Sequence, residues 1–141
     1  MAYCAQTDLQ DQIPAAKLIQ LTDDTGIGVV GASAVSKAIA DADAEIDGYC
    51  GVRYDVPFSP VPVLIRKYSV DIAIYNLYAR KPGVVPEERQ TRYENALRFL
   101  RDVGKGLVEL GADAPAQDST SNEVQVSTNS RIFTREKMSG Y

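Results

Sequence analysis

The stretch "PVLIRKYSVDIAIYNLYAR", residues 62–80, most constrains what this chain can become. Wound as a helix together with the preceding residue, it puts Val61, Leu64, Ile65, Tyr68, Ile72, Tyr75 and Ala79 on one face and Val63, Val70, Ile74 and Leu77 on the opposite side. A helix that is apolar on two sides needs neighbours on both, so it is expected at the centre of a small bundle. Pro82-Gly83 ends it, and Pro57, Pro60 and Pro62 before it prevent helix and enforce a stiff, extended connection.

The neighbours are legible on either side. Upstream, Val35, Ala38, Ile39, Ala42, Ile46, Tyr49 and Cys50 fall within an arc roughly 120° wide, with Ser33 as the expected N-cap and Gly51 as the stop. The far face of that helix carries Lys37, Ala40, Ala44 and Gly48, either a close-approach surface or simply an exposed one. Downstream, a helix starting at Pro86 has Tyr93, Ala96, Leu97, Phe99, Leu100 and Val103 as its apolar face and ends at Gly104 and Gly106. Glu88–Arg92 and Glu94–Arg98 are expected as i,i+4 pairs. "LVEL", from Leu107, reads as one more turn or a short strand.

The N-terminal region adds a short helix beginning at Thr7, where "TDLQ" has the capping-box form. Pro14 breaks it and opens "PAAKLIQLT", and "DDTGIGVVGAS" follows as turn material. The expectation is an all-α bundle of about four helices over residues 1–110. Residues 111–141 form a flexible or extended arm, because "GADAPAQDSTSNEVQVSTNS" has too little apolar content to offset the entropy of ordering. Within it "EVQVS" alternates and suits strand addition to a partner's edge. The arm ends in "RIFTREKMSGY", whose Arg131, Ile132, Phe133, Arg135, Met138 and Tyr141 are the candidate contact residues, since aromatic and Arg side chains dominate interface energy.

Chemistry is harder to find. The chain has no histidine, which removes the commonest general acid/base and metal ligand. Cys50 has no such base to activate it and lies in the apolar arc of its helix, so it reads as core. Reduced thiols are expected for Cys4 and Cys50. Asp41, Asp43, Glu45 and Asp47 look clustered in print, but the helix splits them between two flanks, where solvated side chains are expected. "TDDTGIG" lacks the ligand pattern of a calcium loop, and "GIGVVG" lacks the glycine spacing of a dinucleotide site. Tyr68, Tyr75 and Tyr78 read as core and rim. No enzyme and no cofactor is expected.

The net charge is −4, which weighs against nucleic acid as the main partner. Residues 1–60 carry 3 basic and 9 acidic groups, whereas residues 61–110 carry 9 and 6. Such a split suits head-to-tail contact between copies. Arg66, Lys67, Arg80, Lys81, Arg89, Arg92, Arg98 and Arg101 are interleaved with acids and read as ordinary charged surface. No apolar run is long enough to span a bilayer, and the N-terminus has no signal-peptide pattern.

Five stretches in order resemble the Mu-like phage family of small head–tail connector (adaptor) proteins: "MAYCAQTDL", "DADAEIDGYCGVRYDVPF", "VPVLIRKYSVDIAIYNLYARK", "RYENALRFLRDVGKGLVELG" and "RIFTREKMSGY". The resemblance implies a helical adaptor that binds beneath the portal of a filled capsid. A ring, with twelve copies expected, would extend the DNA channel and dock tail-side completion proteins. DNA would be met only as it passes through, and no membrane is implied. The place implied is the head–tail junction of the virion, reached from the host cytoplasm during assembly. The alternatives are a small phage DNA-binding or regulatory protein, a transient assembly factor absent from the finished particle, and a hydrolase built on two converging carboxylates.

Overall fold

The computed structural model describes residues 1–111, and they form five helices and no strand. These are α1 (Gln6–Gln10), α2 (Ala15–Thr22), α3 (Ala32–Cys50), α4 (Val63–Ala79) and α5 (Glu87–Gly104). The expected all-α bundle is what is found. The expected arm lies outside the described residues from 112 onward.

Helix α4 is central, as its two-sided apolar pattern requires. It buries Ile65, Ser69, Val70, Asp71, Ile72, Ala73, Ile74 and Leu77, and it packs against all four other helices. Residue pairs set the directions. Ser69 meets Asp43 and Arg80 meets Asp24, so α4 runs antiparallel to α3. Tyr68 packs on Phe99 and Tyr75 on Tyr93, so α5 runs antiparallel to α4. The three long helices therefore run up, down and up. Where α5 ends beside α3, a Cβ on Gly104 would stand 2.8 Å from the Tyr49 carbonyl oxygen, so the absence of a side chain there permits the close approach.

The helix starts differ from the sequence expectation by small, explicable amounts. Pro14, Pro62 and Pro86 are N-caps rather than first helical residues. Helix α3 is capped by Gly31, and Ser33 lies inside its first turn without a capping role. At α1 the cap is Ala5, not Thr7. The Asp8 carboxylate accepts from the Ala5 N–H at 2.8 Å, which is half of a capping box with the acid at N3. Glu88–Arg92 forms at 2.7 Å, whereas Glu94 accepts instead from the Gln90 amide at 3.1 Å. Residues 107–110 form neither a helical turn nor a strand. Their path is fixed by Leu107 N–H on the Asp102 carbonyl and Leu110 N–H on the Tyr54 hydroxyl.

Candidate functional site

Two apolar features stand out because they are exposed yet built on well-tied backbone, and they lie at opposite ends of the α3–α4 hairpin. The first is the loop 23–30. Its base is closed by Thr22, whose hydroxyl donates to the Leu18 carbonyl at 2.7 Å and accepts from the Gly31 N–H at 3.0 Å. Inside the loop the Asp23 carboxylate accepts from the N–H groups of Thr25, Gly26, Ile27 and Gly28. Those bonds, led by the one from Gly28, hold the Asp23 pKa below the usual carboxylate range. The wrapping needs left-handed backbone at two positions, and Gly26 (φ +73°) and Gly28 (φ +80°) supply it.

The loop is also clamped to the end of α4. Asp24 pairs with Arg80 and Lys81, each at 2.6 Å, and the Arg80 bond first, then the Lys81 bond, lowers its pKa to about 2. Arg80 reaches the Leu21 carbonyl as well. The result is a fixed loop whose tip presents Ile27, 72% exposed, and Val29, 57% exposed.

The second feature is a groove of about 590 Å³ over the proline-rich connection and the start of α4, lined by Pro57, Phe58, Pro60, Val61, Val63 and Leu64. Val63 is 84% exposed and Leu64 42% exposed. Gly111, the last described residue, is on its edge, and Asp55 contributes a carboxylate.

The groove rests on a clasp that pattern reading does not reveal. Tyr3 is buried, its N–H donates to Asp43 and its hydroxyl donates to Asp47. That hydroxyl also accepts from the Phe58 N–H at 3.1 Å. Burial, then the Asp47 contact, pushes the Tyr3 pKa well up, so the phenol stays protonated. Burial likewise raises the Asp43 pKa. The rings of Tyr3 and Tyr54 each lie 5.8 Å from that of Phe58.

This corrects one expectation. Asp41 is a solvated flank residue paired with Lys37, but Asp43 and Asp47 are tied to the N-terminal segment. The opposite face of α3 is simply exposed at Ala40, Ala44 and Gly48.

A buried acid was also hidden in the sequence. Asp71 is 4% exposed, and its Oδ1 makes no hydrogen bond, since the nearest Arg92 nitrogen is 3.8 Å away. Burial raises its pKa against the opposing pull of Lys67, Arg92 and Arg89. Cys4 and Cys50 are buried thiols whose pKa burial raises to about 11, which suits Cys50 as a core residue. Tyr68, Tyr75 and Tyr78 are half-buried. Tyr75 stacks on Tyr93, whose hydroxyl donates to Glu45 at 3.0 Å.

Five of the cations singled out in the sequence are taken up by separate partners. Arg80 and Lys81 serve Asp24, Arg89 and Arg92 reach Gln12, and Lys67 lies 4.6 Å from the centre of the Tyr68 ring. Arg131, Ile132, Phe133, Arg135, Met138 and Tyr141 lie outside the described residues. Among the described residues no helix is long and apolar enough to cross a membrane.

Comparison with known proteins places this bundle among phage proteins. The chain is 29% identical over 140 residues to gene product J of Escherichia phage Mu, covering 97% of each chain. It is 30% identical over 108 residues to Mu-like prophage FluMu protein gp36 of Haemophilus influenzae, covering 76% of this chain and 74% of that one. The family described as "Bacteriophage Mu, Gp36" matches residues 3–128, so the chain belongs to that family.

Proposed function

We propose that this protein is a head–tail connector that binds below the phage portal as a ring, extends the DNA channel and docks tail-side completion proteins. In this reading it is not an enzyme. It works at the head–tail junction of the virion, arrives there from the host cytoplasm, and meets DNA only in the channel. Family membership supports a phage structural or assembly role. The resemblance of the five sequence stretches to head–tail adaptors supports the finer assignment.

The observation that carries the reading is the exposure of apolar side chains on tied backbone at both ends of the bundle. Exposed apolar groups on a fixed surface favour association, because little freedom is lost when they are covered. The polar groups inside point the same way. Asp43, Asp47 and Glu45 are engaged by tyrosines, which hold the fold together through them. The charge division between residues 1–60 and 61–110 suits contact between unlike faces of successive copies.

The terminal "RIFTREKMSGY" is assigned a contact with the portal, a tail-side protein or a neighbouring copy. The test is a chain lacking residues 131–141, supplied in place of the full chain during phage assembly. The expected outcome is a folded bundle that is missing from particles. A shortened chain that enters particles normally contradicts the role of this terminus, and a full chain absent from finished particles contradicts the connector reading itself.

A further inference from the structure

After α5 ends at Gly104 the chain stays on the bundle and follows the proline-rich connection. Gly106 lies against the Arg53 guanidinium, Glu109 pairs with that group at 3.4 Å, and the Leu110 N–H donates to the Tyr54 hydroxyl at 3.2 Å. Val108 and Leu110 pack against the core. This route brings Leu110 and Gly111 to the wall of the groove, beside Pro57, Val63 and Leu64. The 30 residues that follow Gly111 therefore start at the groove. A segment tethered so closely competes for it at a local concentration on the order of millimolar, which a separate molecule has to match.

Two pieces of those residues are apolar enough to fill the groove: Val124 and Val126 in "EVQVS", and Ile132 and Phe133 in "RIFTREKMSGY". Charge separates them. Arg66 and Lys67 follow Val63 and Leu64 by three residues, so they stand one helical turn further along the same face, and both are exposed. Lys105 is exposed beside Gly106, and Asp55 is the acid on the groove itself. Two other acids at this end are engaged, Glu109 by Arg53 and Asp47 by Tyr3. Residues 112–130 contain Asp113, Asp118 and Glu123 with no Lys or Arg, whereas residues 131–141 contain Arg131, Arg135 and Lys137 against Glu136. The acidic piece suits this rim and the basic one is repelled by it.

We propose that in the free protein Val124 and Val126 seat in the groove of their own chain, over Val63 and Leu64. In an extended segment residues i and i+2 share a side, so both valines enter together while Glu123 and Gln125 stay in water near Arg66 and Lys67. Pro57, Pro60 and Pro62 line the groove and have no N–H, so the contact rests on side chains more than on strand pairing. The 12 residues between Gly111 and Val124 give ample length for the return, and loop closure grows costlier only slowly with length. The terminal "RIFTREKMSGY" is left for a partner, and the seat does not depend on the connector reading.

The test is the full chain carrying Gln125→Cys, spin-labelled through that thiol, the native thiols being buried. The methyl signals of Val63 and Leu64 are then followed by NMR. Both are expected to broaden strongly, while those of Ile27 and Val29 at the far end of the α3–α4 hairpin do not. Adding Val124→Asp and Val126→Asp is expected to cut the broadening about tenfold or more, because both valines lose their burial. Unchanged methyl signals from Ile72 and Leu100 in the core show that the bundle of this variant is intact.

Broadening that survives both aspartates reflects chance encounters of a tethered segment and overturns the seat. Stronger broadening from a label at Phe133→Cys overturns it in favour of the terminal stretch. A spin-labelled chain mixed with an isotope-enriched, unlabelled chain tests a second copy. Equal broadening in that mixture gives the groove to a neighbouring chain and overturns the proposal. Absence of broadening in every arm overturns it as well. Loss of the seat leaves the connector reading standing, and failure to bind phage heads leaves the seat standing.

Discussion

The Tyr3 hydroxyl joins the first residues of the chain to two distant places, donating to the Asp47 carboxylate on α3 and accepting from the Phe58 N–H in the proline-rich connection. Replacing Tyr3 with Phe keeps the ring against Phe58 and removes both bonds. A buried polar group left without its partner costs about 1–3 kcal/mol. The Tyr3→Phe chain is expected to unfold in urea with that loss of stability. No measurable loss means that water replaces the phenol, and the clasp does not hold the groove wall.

Asp71 makes the opposite kind of prediction. Its pKa is raised, mainly by burial, so the native state holds the proton more tightly than the unfolded chain does. Stability from this group is therefore greatest below the unfolded carboxylate pKa and falls as pH climbs through the raised native value. Asp71→Asn mimics the protonated form. It is expected to be more resistant to urea than the parent at pH 7, with the difference gone by about pH 3. A variant less stable at pH 7 shows instead that attraction to Arg92, Arg89 and Lys67 outweighs burial.

Asp43, Asp47 and Asp71 mark the limit of what the sequence discloses. The order and packing role of the helices follow from apolar periodicity and from prolines, as α4 shows with its two buried sides, although five helices stand where about four were expected. Periodicity says nothing about partners for polar groups, so Asp71 could not be told from a solvated residue. Asp43 and Asp47 look like a helix flank until Tyr3 is folded onto them from 40 and 44 residues away. The turn at "DDTGIG" is legible in its glycines and aspartates, but that it lifts Ile27 into solvent depends on the four N–H groups gathered by Asp23. The groove combines the 55–64 connection with residues 110 and 111, which no local pattern brings together.

The Asp24 clamp gives a local prediction. With its pKa lowered to about 2, the stabilisation is present above the unfolded value near 3.9 and lost as pH falls toward 2. Asp24→Asn at neutral pH is expected to speed amide exchange at Gly26, Ile27 and Gly28 and to leave global unfolding nearly unchanged, since the pair is exposed. Exchange that stays as slow as in the parent means that Asp23 alone fixes the loop.

Gly104 tests the packing of the outer helices. A Cβ there meets the Tyr49 carbonyl oxygen at 2.8 Å, so Gly104→Ala forces α5 away from α3. Overpacking of this kind costs about 1–3 kcal/mol and outweighs the gain of alanine in a helix. A lower thermal midpoint is expected. A higher one means that the two helix ends separate without penalty.

The central claim is that this protein forms a ring beneath the portal, and one experiment addresses it most directly. Purified protein is incubated with DNA-filled, tailless heads of the phage that encodes it and imaged by electron microscopy. The account predicts added ring density at a single vertex, with a symmetry that follows the portal. Bare portals at saturating protein contradict it and favour an assembly factor or regulator in its place.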